Sequence, residues 1–92
     1  MEKQNIKVLY FCEIEDNIKG NILAVSDSRL FGTKEFKKRV KEEVGYLVDI
    51  ENETDEDAIS DFKRAVRNLA KGKSAVYMDY EFEYEDLDLM SL

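Results

Sequence analysis

The chain has 92 residues, with 14 Lys and Arg against 21 Asp and Glu and a net charge of −7. A content of 43% hydrophobic and 11% aromatic residues is too apolar for a disordered acidic tail and enough for one core, so a single domain over residues 1–92 is expected. The negative balance argues against direct binding to nucleic acid or to an anionic membrane, both of which are polyanions.

The alternation of Ile6, Val8, Tyr10, Cys12 and Ile14 predicts a first strand, and Leu9 and Phe11 between them suggest an interior strand covered on both faces. "EDNIKG" supplies turn chemistry through Asp16, Asn17 and Gly20, and "NILAVS" (21–26) reads as the returning strand of a hairpin. After the connector "DSRLFG", Thr33 is placed to cap a helix from Lys34 to about Val44. Phe36, Val40 and Val44 form its narrow apolar stripe among Lys37, Lys38, Arg39 and Lys41, and Gly45 fits the position just past its end.

"YLVDI" (46–50) then reads as a third strand, followed by a second helix from Asp55 to about Lys71 capped by Thr54, with Asp57 as a capping-box-like acid. Ile59, Phe62, Val66 and Leu69 give that helix a broad core-facing stripe, which Gly72 ends. A fourth strand is expected from Ser74 to about Glu85. The order β-β-α-β-α-β predicts an α+β domain in two layers: a four-stranded mixed sheet with two helices on one face.

The absence of His removes the commonest general base and metal ligand, and with it Ser-His-Asp and Cys-His dyads. Cys12, lying among aromatics and acids, reads as a small core residue instead of a nucleophile, and one Cys without His leaves no ordinary zinc site. "KGKS" (71–74) lacks the first glycine of a phosphate loop and follows a helix instead of a strand. "DIENETDED" fails a calcium loop, because Thr54 and Ser60 stand where glycine and glutamate are required; its acids suit the start of a helix. We therefore expect no enzyme, no cofactor and no metal. The opening "MEKQNIKVLYFCEIED" has no signal-peptide pattern, and the lone cysteine suits a reducing compartment, so a cytoplasmic location is expected.

The charges are segregated. Residues 49–61 hold seven acids and residues 79–88 hold six, with no base in either block, while six bases fall between Arg29 and Lys41. In "MDYEFEYE", Asp79, Glu81, Glu83 and Glu85 alternate with Tyr80, Phe82 and Tyr84. On a strand such acids share one face about 6.6 Å apart, and unit charges at that spacing in water repel by about 0.6 kcal/mol before screening. A fold of this size can bear that, so a solvated face that discourages edge pairing is one reading.

The reading with functional content is that the row binds a basic protein surface, because its spacing approximates that of phosphates along a nucleic-acid strand. The expected partner-binding residues are Asp79, Glu81, Glu83 and Glu85, with Tyr80 and Tyr84 as aromatic anchors and Glu53, Asp55, Glu56 and Asp57 as a second patch. The expectation is a small acidic module that inhibits or regulates a basic, nucleic-acid-binding partner protein. The alternative is a self-associating or subunit-docking structural module, a homo-oligomer in which the basic helix of one copy meets the acidic strand of the next or the last strand pairs with its mate, or one whose acidic strand is only a solvated face.

Overall fold

The computed structural model describes residues 6–15 and 20–86. It is an α+β domain whose elements run β1 (Ile6–Glu13), β2 (Asn21–Asp27), α1 (Lys34–Val48), α2 (Glu56–Ala70), β3 (Ala75–Tyr77) and β4 (Tyr80–Asp86), with single 3₁₀ turns at Ser28–Leu30 and Ile50–Asn52. Asp16 and Asn17, expected in the first turn, and Asp88 of the second acidic block lie outside the described residues.

The expected third strand is helix. Leu47 and Val48 prolong the stripe of Phe36, Val40 and Val44 at helical spacing, and both pack on the core. Gly45 is not a terminator; it is buried within α1, where an added Cβ would stand 3.4 Å from the Phe62 ring and 3.0 Å from Ile50. The missing side chain therefore lets α2 approach α1. The helix ends at Asp49, which takes the left-handed conformation (φ 54°) and accepts both hydrogen bonds of the Asn52 amide at 2.8 and 2.9 Å.

Without that strand there is no β-α-β unit, and the expected mixed sheet is corrected to an antiparallel one in the order β2-β1-β4-β3. The expected last strand is a hairpin. β3 and β4 are joined by the two residues Met78 and Asp79, and Met78 carries the positive φ (53°) such a turn needs. Both helix starts follow the capping logic. Thr33 accepts from the Phe36 N–H at 3.2 Å, and Asp55, one residue after the expected Thr54, accepts from the Asp57 N–H at 3.0 Å.

The core lies between the helices and one face of the sheet. Leu9, Phe82 and Tyr77 from the strands meet Phe36, Val40 and Val44 of α1 and Phe62, Val66 and Leu69 of α2. Burying each large side chain contributes about 1.5–3 kcal/mol. Gly20 permits the return of β2, since a Cβ there would collide with the Phe11 carbonyl oxygen. Non-glycine residues at positive φ carry a backbone cost of about 1–2 kcal/mol, part of which glycine's unfolded-state entropy offsets. Met78→Gly is therefore expected to raise stability by about 0.5–1 kcal/mol in urea unfolding. Lower stability would mean that the exposed Met78 side chain contributes more than its backbone costs.

Candidate functional site

Register decides what each face of the sheet presents. Phe82 pairs with Phe11, Tyr84 with Leu9 and Tyr80 with Tyr77, so Tyr80, Phe82 and Tyr84 all point toward the helices. Glu81, Glu83 and Glu85 take the opposite face, beside Cys12, Tyr10 and Val8 of β1. On the far side of β1, Tyr10 meets Ile22 and Val8 meets Val25. An irregularity between Leu9 and Tyr10 lets both Leu23 and Ala24 turn toward the core while Ile22 and Val25 stay outside.

Neither helix covers this second face. Ile22 is 68% exposed, Val25 44% and Val76, the neighbour of Glu81 on β3, 61%. The expectation that β1 is covered on both sides is corrected: β1 is interior in the hydrogen-bond ladder but open on one face. Its Ile6, Val8, Tyr10 and Cys12 form an apolar strip alongside Glu81, Glu83 and Glu85, and at the far corner Asp27, the pair of Ile6, carries an ion pair to Arg29 at 2.6 Å.

The acidic row differs from the expected one in three respects. It has three members, because Asp79 sits in the β3–β4 turn, where its carbonyl accepts from the Ile14 N–H at 2.9 Å. It lies on an interior strand, so protection of a sheet edge does not account for it. Its aromatic neighbour is Tyr10, whose hydroxyl donates to Glu83 Oε2 at 2.7 Å.

Tyr80 and Tyr84, expected as anchors, are on the helix side. Tyr80 packs on Phe11 and Phe82; Tyr84 packs on Phe31 and donates to the Leu69 carbonyl at 2.6 Å. Tyr10 was open to view in the alternation of the first strand, but nothing in the sequence says which face of an interior strand the helices leave bare.

Electrostatics across the row follow from this geometry. A side-chain hydrogen bond with Glu83, then repulsion by it, raises the Glu81 carboxyl above the usual carboxylate range. The hydrogen bond to Glu83, followed by lesser desolvation and repulsion from Glu83 and Glu85, pushes Tyr10 up to about 12. Negative charge is thus held together on this face, and its mutual repulsion makes the Glu81 carboxyl harder to ionise.

The second patch does not join it. Asp55 caps α2, Glu56 and Asp57 are exposed in its first turn, and Glu53 accepts from the Thr54 N–H at 3.1 Å, so these acids belong to the helix layer. Lys34, Lys37, Lys38, Arg39 and Lys41 are exposed on α1, also in that layer. The described residues contain no cluster of three or more Asp, Glu, Cys or His suited to a metal ion, and none of the helices is long and apolar enough to cross a membrane. Comparison of the chain with protein-family models, with curated proteins and with solved structures found no match in any of the three.

Proposed function

We propose that this chain is a non-enzymatic protein-binding module whose open sheet face engages a basic surface on a partner protein, one that itself binds nucleic acid. The observation that carries the reading is the open face: an apolar strip (Val8, Tyr10, Cys12, Ile22, Val25) beside a row of carboxylates (Glu81, Glu83, Glu85) with no cation among them. Apolar contact supplies adhesion and the row supplies steering and register. A cationic groove shaped for phosphates meets carboxylates about 6.6 Å apart on a firm strand, and Tyr10 offers the aromatic contact that interfaces favour. The absence of His removes the commonest general base, which favours a binding role in this reading.

A second reading, docking of one copy on the next, draws on the bases of α1 lying in the layer opposite the row. The experiment is capture on the immobilised chain from nuclease-treated extract. The expected result is retention of a basic protein that salt elutes and added DNA displaces. Retention unaffected by DNA and salt, or mass in solution that grows with concentration and collapses with salt, rejects the first reading.

A further inference from the structure

Tyr77 is 3% exposed, and its hydroxyl has no hydrogen-bond partner among the described residues. A buried hydroxyl without a protein partner is costly, and native folds keep few of them. The other tyrosine on this side, Tyr84, shows the ordinary solution by donating to a helix carbonyl. Tyr77 ends β3, and β3 is an edge strand that pairs with β4 alone among the described residues.

Helix α2 runs beside that edge, and an open groove of about 380 Å³ lies between them. Ala58, Asp61 and Ala65 line it from α2, and Val76 and Tyr77 from β3. The two alanines leave room beneath the helix, and a sheet edge leaves backbone N–H and C=O groups free to pair. The charge of the site is set by Asp61 with Glu53 and Asp55, all close enough to reinforce the upward pKa shift that burial gives Tyr77. Arg64 offsets this in part, lying 3.7 Å from Asp61.

We propose that this groove takes an extended segment of a partner chain as a fifth strand along β3, with a lysine or arginine side chain reaching the Tyr77 hydroxyl and the Asp61 carboxylate. Side chains of an added strand alternate between the helix side and the open side. The residue beside Tyr77 faces α2 and carries the cation; its inward neighbours two positions away lie under Ala58 and Ala65 and are small and apolar. The hydroxyl oxygen accepts from the cation, which supplies the missing partner in a negative setting. The inference does not rest on the open-face reading, since it uses the opposite side of the sheet and its edge.

The test titrates terminally blocked Thr-Val-Thr-Lys-Thr-Val-Thr into the isotopically labelled full chain and follows backbone amide shifts. Saturable shifts at Ala75–Tyr77 and along one side of α2 are expected, with binding at least tenfold weaker for the peptide carrying glutamate in place of lysine. Tyr77→Phe is expected to weaken binding about tenfold without lowering the melting temperature, because the hydroxyl has no partner to lose in the free protein. Should that variant misfold, Asp61→Asn provides the same loss of affinity from an exposed position. Absence of saturable shifts at β3, equal binding of the two peptides, or full binding by the variants overturns the proposal. Shifts confined to Glu81, Glu83 and Glu85 overturn it too, while leaving the open-face reading intact.

Discussion

Truncating Phe82 to alanine is expected to remove about 3–5 kcal/mol of folding stability, the usual cost of emptying a buried aromatic site. Phe82 is fully buried at the middle of β4 and lies against the rings of Phe11 and Tyr80. A domain of this length holds roughly 5–14 kcal/mol in total, from about 0.05–0.15 kcal/mol per residue. One substitution thus consumes a large share of the margin, and cooperative urea unfolding will move to a much lower midpoint. Collapse of the site is limited, because neighbours on both adjoining strands hold their positions through backbone ladders. A loss below about 1 kcal/mol would mean that Phe82 is not the packing centre of the sheet.

The residue next to it tests the other side of the same strand. Glu83 shares the backbone of Phe82 but lies on the other face, where it accepts from Tyr10 and stands beside Glu81. The two faces of β4 are therefore separable by mutation: one face holds the fold together, and the other is free to serve a partner. That separation is also why the alternation in residues 80–85 could be read from sequence. A period of two fixes which side chains travel together, and tyrosine and phenylalanine against glutamate settles which set is buried.

Elsewhere the local pattern was not decisive. Tyr46, Leu47 and Val48 are strand-prone and follow a glycine, yet they extend α1, because Leu47 and Val48 fall on the stripe begun by Phe36. Gly45 looks like a stop only if the close approach of α2 through the Phe62 ring is unknown. Losing that strand removes the parallel pairing, so one local misreading propagates into the sheet. For β1 the difficulty is of another kind. Apolar residues occupy both of its faces, and only the tertiary placement of two helices shows that Leu9 is covered while Tyr10 is not. Acids at 53–57 and 81–85 are one population by composition; capping separates the first group from the second.

Neutralising the row by changing Glu81, Glu83 and Glu85 together to glutamine is expected to lower the association rate with a basic partner by about ten- to a hundredfold at low salt, and by much less at high salt. The folded state should survive, because the row lies on the face opposite Phe82 and Tyr84 and glutamine preserves an acceptor for the Tyr10 hydroxyl. The parent protein carries an independent signature in pH. In the free molecule the side-chain hydrogen bond with Glu83 and the repulsion from it raise the Glu81 pKa in the folded state. Folding is then favoured by this group below its unfolded value, and that contribution is lost as pH rises through the folded value. Binding runs the opposite way. A cationic partner prefers the ionised carboxylate, so association releases a proton and affinity falls as pH drops through the raised Glu81 value. Acidification through the raised Glu81 value therefore adds this group's contribution to folding while weakening the complex. The glutamine variant should lose both contributions, leaving the opposite one of Asp27, whose carboxyl Arg29 holds below the usual range. Equal capture by parent and variant at low salt, or affinity independent of pH across the carboxylate range, would remove the acidic face from the mechanism.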